Sequence, residues 1–323
     1  MTVLQTPGAT AVAAEAAAGM PPGTKRGKPR SIARTEARLS YLFIAPALIG
    51  FVCFTFLPMM FSLVMSFMDY GIITPPKFVG LDNWTTMLFK DPLVWHSLGV
   101  TLYYALGSVV LTSVIAFFVA ILMNQKVIGQ RIFRTIYYMP AVISGVPVAL
   151  LWSWLFHPSI GVFNTILGFF GIHGPYWLTS PEWVIPSLII MSTWSVGGAM
   201  VIYLAGLQGV PQDLYEAAQL DGAGPFRKAW NVTIPMVSPI IFFNLILSII
   251  SAMQAFTQAY VMTDGGPINQ SLFSVLYIYR NAFAYFKMGY ASSLAWLLFI
   301  VIGIITIIVF KTSKFWVYEE SDK

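Results

Sequence analysis

Apolar residues in this chain come in long blocks, not in the alternation of a half-buried strand. A helix that crosses a membrane needs about 20 consecutive, mostly apolar residues. Six stretches meet that need, at about 39–68, 98–123, 132–156, 184–207, 236–263 and 290–310. The third contains Pro140 and Pro147. Internal prolines are compatible with a spanning helix, because neighbouring helices and hydroxyl side chains can satisfy the carbonyls they free. The pattern predicts an all-α integral membrane protein, one bundle of six transmembrane helices with no second soluble domain.

Composition agrees with lipid as the solvent. Of 323 residues, 57% are hydrophobic and only 10% charged, against about 25% charged in a soluble globular chain. The net charge of +5 is unevenly placed, and Lys and Arg in the connections set the orientation. Six lie between Lys25 and Arg38, and the second connection brings Lys126, Arg131 and Arg134. Arg227 and Lys228 lie in the fourth connection, and Lys311, Lys314 and Lys323 at the C-terminal end. The opposite side has Lys77, Lys90, Arg280 and Lys287. Fourteen against four predicts both termini in the cytoplasm. Trp84, Trp95, Trp177 and Trp183 fall in or beside the outer connections, where interfacial aromatics gather.

Residues 1–38 read as a disordered, basic cytoplasmic tail, the alternative being a short amphipathic helix on the membrane surface. A secretory signal has its charge before its apolar stretch, and here the order is reversed. The membrane domain is expected over 39–311, followed by a cytoplasmic tail at 312–323. The basic cluster orients a membrane helix and does not read as a nucleic-acid face. The one cysteine, Cys53, can form no disulfide within the chain.

The chemistry of catalysis is missing from the blocks. All 13 carboxylates lie outside the expected spans or at their ends, whereas an ion-coupled carrier needs ionisable groups inside the membrane. His96, His157 and His173 are too scattered for a metal site. A membrane enzyme needs several acidic or His residues near one face, and Asp82, Asp91 and His96 are the nearest approach. No phosphate-cradling G-x-x-x-x-G-K-[ST] loop occurs, so any ATP that drives this chain binds elsewhere.

The fourth connection, about 208–235, is the longest polar interruption on the expected cytoplasmic side. It reads as helix, turn, helix. Pro211 suits a first helical turn, with acidic Asp213 after it, and Glu216, Ala217 and Ala218 continue the helix. Asp221 and Gly222 close it, glycine being free to take a left-handed cap. Pro225 starts a second short helix expected to end before Pro235. Leu214, Ala217, Ala218 and Leu220 form an apolar ridge that suits a groove on a partner protein, though a solvated connecting loop fits the same pattern.

Glu216-Ala217-Ala218, then Asp221-Gly222-Ala223, then Ile234-Pro235, resembles the cytoplasmic loop of binding-protein-dependent ABC transporter permeases. The family usually has leucine where this chain has Ile234. Segments at 78–84, at 133–140 with Trp152 and Phe156, and at 263–267 with 277–279 are similar, in the same order, to the sugar-type branch that includes the maltose and glycerol-phosphate importer permeases. The resemblance implies a permease subunit of an ATP-driven importer in the bacterial cytoplasmic membrane, forming half of the path for a sugar or sugar-like solute. It implies three partners: a second permease, an ATPase dimer that holds ATP and Mg, and an extracytoplasmic solute-binding protein. Glu216, Ala217, Ala218, Asp221, Gly222 and Pro235 are the residues it assigns to ATPase coupling. The motion implied is alternating access, with no covalent chemistry in this chain. Another small polar solute, or an ion-coupled carrier, are the alternative readings.

Polar residues in the fifth block recur on one side. Asn244, Ser248, Ser251, Gln254 and Gln258 fall within an arc of about 120° if the helix runs unbroken. An uncharged stripe of hydroxyls and amides suits a neutral, hydroxyl-rich solute, and the same residue types also serve helix–helix hydrogen bonding. In the fourth block Trp194 is a candidate ring for stacking on a sugar, while Ser192, Thr193, Ser195, Gly197 and Gly198 equally suit close helix packing.

Overall fold

The computed structural model describes residues 30–71, 75–125, 129–143 and 145–318, with side chains from Ser40 onward. The expected tail at 1–29 and the last five residues lie outside the described residues. The chain divides into two compact units, Met1–Met59 and Met60–Lys323.

The described part of the first unit is helical. α1, Arg30–Phe51, includes residues 30–38 that were expected in the tail, and it carries Pro46. One wide π turn, Val52–Phe56, leads into α2, Leu57–Met65. Side chains such as Phe43 and Phe54 are more than 80% exposed, as suits a helix whose solvent is lipid.

The second unit takes up the rest of α2 and then a small antiparallel hairpin, β1 Met68–Asp69 on β2 Lys77–Phe78. A short helix, α3 Asp82–Thr85, and a π turn, Thr86–Lys90, follow. The long helix α4 spans Pro92–Asn124, starting six residues before expectation. Its start is set by Asp91, whose carboxylate accepts from Leu93 N at 3.0 Å, and by Pro92 at the first position.

The third block is two helices, not one. α5, Gln130–Val142, and α6, Gly145–Leu155, meet at 101°. Pro140 stays inside α5, but Pro147 falls in the first turn of α6. There its missing N–H costs nothing, whereas in a continuous helix its ring would strike the carbonyl of Ile143. A short helix, α7 Val162–Phe169, follows. The fourth block also breaks. α8, Val184–Ser192, passes through a tight 3₁₀ turn, Thr193–Ser195, into α9, Gly197–Gln208, with a 50° bend. Ser192 Oγ and Thr193 Oγ1 donate to the carbonyls of Ile189 and Ile190 at 2.6 and 2.7 Å, competing with the helical ladder.

α10, Gln212–Leu220, and α11, Pro225–Lys228, make the fourth connection. The second short helix does not end before Pro235. A π turn, Ala229–Thr233, joins α11 to α12, Ile234–Met253, giving one helical run of 29 residues. The wide turn makes room for the ring of Pro235. α12 then stops at Met253, so the fifth block is also interrupted. A π turn, Ala259–Thr263, then α13, Ser274–Tyr279, a further π turn, Arg280–Ala284, and α14, Met288–Ser313, complete the order.

Among the described residues four helical runs are long and apolar enough to cross a membrane, and up to six if each bent pair counts as one span. α9 and α12 pack on α4, and Gly206 lets Val237 and Ile240 of α12 approach the backbone of α9. Met200, Tyr203, Val237 and Ala120 are fully or almost fully buried there.

Candidate functional site

The breaks in the third, fourth and fifth blocks converge. Non-helical backbone at membrane depth is tolerated only where it is buried in protein or lines a water-filled cavity. These three line cavities. An open trough of about 510 Å³ is walled by Tyr104, Ser108 and Thr112 of α4, and by Ser192 and Ser195 at the bend between α8 and α9. Asn244, Ser248 and Ser251 of α12, then Gln254, Thr257 and Gln258 past its end, complete the polar wall. Among the lining residues none is charged. A second chamber of about 240 Å³ adjoins it, lined by Ile143, Gly145 and Val148 at the α5–α6 break, Leu188 and Met191 of α8, and shared residues of the trough wall.

All five residues of the polar stripe therefore meet in one place, but not on one helix. Asn244, Ser248 and Ser251 project from α12, whereas Gln254 caps its C-terminus at φ −100° and ψ 15° and Gln258 lies past the break. The three that stay on the helix share a narrower arc of about 60°. Asn244 is 4% exposed and its Nδ2 donates weakly to Ala199 O at 3.4 Å, so it also ties α12 to α9. Trp194 does not line the trough. Its ring packs edge-on against Trp152, centroids 6.1 Å apart. Gly197 serves packing, with the backbone of Tyr137 and Tyr138 pressed against its α-carbon.

The α4 wall escaped the sequence reading. Tyr104, Ser108 and Thr112 are spaced four apart, so they share one face of the helix. That spacing was the available signal, hidden because Tyr104 counts as apolar within a hydrophobic block. Gln258 Nε2 donates to Tyr104 Oη at 3.0 Å, closing the trough wall across α4.

A second candidate surface is the fourth connection. α10 ends in a Schellman motif: Ala223 N donates to Ala218 O at 2.9 Å and Gly222 N to Gln219 O at 3.0 Å. Gly222 holds φ +77°, as the Asp-Gly pair predicted. Pro211 precedes α10 instead of sitting in its first turn, at φ −58° and ψ 132°. Tyr215 Oη shares a hydrogen bond with Thr233 Oγ1 at 3.1 Å, and Lys228 Nζ donates to Gln219 Oε1 at 3.0 Å. These contacts fix α10 against α11 and the π turn. Glu216 is exposed and accepts from Gln212 Nε2 at 3.0 Å. Ala217, Asp221 and Gly222 are exposed, and Ala218 and Pro235 half-buried. Around the turn Leu220 and Phe226 are 90% and 92% exposed, and Trp230 is also exposed. Phe226 and Trp230 extend the apolar ridge beyond what the sequence reading assigned.

At the start of α4, Asp91 gathers three elements. Its Oδ2 accepts from Tyr277 Oη at 2.5 Å and Tyr290 Oη at 2.6 Å, joining α13 and α14 to the first turn of α4. Burial, and then the carboxylate beside it, push the Tyr277 phenol well above the ordinary tyrosine range. Among the described residues no group of His, Cys, Asp and Glu could hold a metal ion.

Comparison with known proteins adds independent information. The family model described as "Binding-protein-dependent transport system inner membrane component" matches residues 112–318. The chain is 43% identical over 298 residues to the probable ABC transporter permease protein YesP of Bacillus subtilis, covering 91% of this chain and 96% of that one. It is 33% identical to the trehalose/maltose transport system permease protein MalF of Thermococcus litoralis, over 87% and 95% of the two chains. Its structure is similar, at a TM-score of 0.76 and 25% identity over 88% and 96% of the chains, to the bacterial alginate ABC transporter in complex with alginate pentasaccharide-bound periplasmic protein.

Proposed function

The chain belongs to the binding-protein-dependent transport system inner membrane components and is an ABC importer permease, a transport subunit and not an enzyme; we propose that its trough is half of a path for a neutral sugar or sugar-like solute. The observation that carries this reading is the uncharged wall of hydroxyls and amides set at two helix breaks, with the third break lining the chamber beside it. A polyhydroxylated solute exchanges its water for such groups one hydrogen bond at a time, with no ion to desolvate. The sugar-transport names among the relatives support the same class of cargo. An ion-coupled carrier needs a charged ligand set in the path, and the trough wall offers none.

In this reading the membrane domain, 39–311, crosses the bilayer six times, each bent pair forming one span, and the excess of Lys and Arg keeps both termini in the cytoplasm. The tails at 1–38 and 312–323 are then cytoplasmic. The fourth connection faces the cytoplasm, where Glu216, Ala217, Ala218, Asp221, Gly222 and Pro235 build the docking turn for an ATPase subunit. Leu220 and Phe226 are the apolar anchors that the ATPase cleft covers. ATP and Mg stay on that ATPase dimer. A second permease closes the open side of the trough, and an extracytoplasmic binding protein delivers the solute to the bacterial cytoplasmic membrane. Closure of the ATPases moves the docked turn, and the helix breaks let the trough open outward.

Co-purification of the tagged chain in mild detergent tests the assembly. An ATPase and a second permease are expected with it by mass spectrometry. Recovery of the chain alone, from a preparation still competent for solute flux, refutes the proposal.

A further inference from the structure

The 240 Å³ chamber lies behind the trough, and Tyr104, Ser192, Ser195, Thr257 and Gln258 line both. Across that shared wall runs the hydrogen bond from Gln258 to Tyr104. Its two ends differ in kind. Tyr104 sits on the unbroken α4, is 5% exposed, and packs, tilted by 35° at 4.8 Å, on the fully buried ring of Phe273. Gln258 sits on the short segment past the break that ends α12, and it is half-buried. One partner lies on an unbroken helix and the other beside a helix break. The remaining chamber wall is apolar, formed by Ile143, Val148, Leu188 and Met191.

We propose that this chamber is a second compartment of the solute path, sized for a single sugar ring, and that the Gln258–Tyr104 hydrogen bond is the latch that closes it. A sugar ring has the matching duality, hydroxyls at its edge and C–H groups on its face. Its C–H face fits against Val148, Leu188 and Met191. Opening the latch costs the phenol and the amide the hydrogen bond they share, which is unfavourable unless another polar group replaces it. A hydroxyl both donates and accepts, so it satisfies both groups, whereas an apolar group satisfies neither. The latch thereby selects for hydroxylated cargo. This inference rests on reading the trough as the solute path.

Thiol labelling of the full chain, with its co-purifying subunits, tests it without knowledge of the solute. Cys53→Ser removes the only native thiol of the chain. Ser251→Cys then reports on the trough and Val148→Cys on the chamber. The probes are methyl methanethiosulfonate and a methanethiosulfonate carrying one glucose unit, and mass spectrometry of this chain gives the rates. With the latch intact, the trough thiol reacts with both probes and the chamber thiol reacts slowly with the glucose probe. Gln258→Ala raises the glucose-probe rate at the chamber thiol about tenfold, the worth of one lost hydrogen bond, and leaves the trough thiol unchanged. Tyr104→Phe does the same and serves where the first variant fails to assemble by gel filtration. A chamber thiol that the glucose probe never reaches, or reaches equally fast with the latch intact, overturns the proposal. A trough thiol that reacts with neither probe overturns instead the reading of the trough as a path.

Discussion

The trough and the fourth connection invert the usual arrangement of a protein in opposite ways. The connection holds apolar Leu220 and Phe226 out at 90% and 92% exposure. The trough turns hydroxyls and amides, Asn244 and Ser108 among them, toward the protein interior. Each is unfavourable for the chain alone, since exposed apolar patches and underused buried polar groups both cost free energy. In the proposed function each becomes favourable once something else is bound, a protein surface in one case and a hydroxylated solute in the other. The difference lies in rigidity. The connection is a closed turn fixed by the Schellman bonds and by Tyr215–Thr233, made to keep its shape. The trough is assembled from broken helices, made to change.

The sharpest way to break the comparison is Gly222→Val. A β-branched residue at φ +77° is strained by about 1–2 kcal/mol or more, with open space around it, so backbone geometry alone is perturbed. Uptake should fall to background and ATPase activity should lose its dependence on solute, while the amount of protein in the membrane is retained. Normal uptake by this variant removes the turn from coupling.

Gln254→Leu should have a smaller effect. Losing one amide from the trough wall should lower transport roughly two- to tenfold, the range expected for one hydrogen bond, with co-purifying subunits unchanged. Unaltered transport would assign the stripe to packing. Asp91→Asn should act on stability alone. Asparagine retains the helix cap, but it cannot accept from Tyr277 and Tyr290 as strongly as a carboxylate does. A loss of about 1–2 kcal/mol lowers the melting temperature by a few degrees, measurable by thermal unfolding in detergent, while uptake stays near that of the parent protein.

How far the sequence disclosed these regions depended on where the physics is local. The turn of the fourth connection was legible because a left-handed residue after Asp221 favours glycine, and Gly222 follows it. Helix breaks were harder. Pro147 was visible, but an internal proline is compatible with one continuous spanning helix, whereas here it stands in the first turn of a new one. The end of α12 at Met253 has neither proline nor glycine beside it, so no local residue marks it. Pro235 misled in the other direction, since a π turn absorbs it and the helix continues. Tyr104 was invisible because its role depends on Gln258, more than 150 residues away in sequence. What the chain does with long-range contacts cannot be read from spacing alone.

That absorbed proline makes a lever. From Pro225 beside the Gly222 turn to Met253 at the break, the helical run holds 29 residues, a rod of about 44 Å. A tilt of about 5° at the Pro225 end carries the far end by about 4 Å over that length, enough to part a hydrogen bond. If the proposed docking holds, a push on the fourth connection therefore reaches the break before Gln254 as displacement.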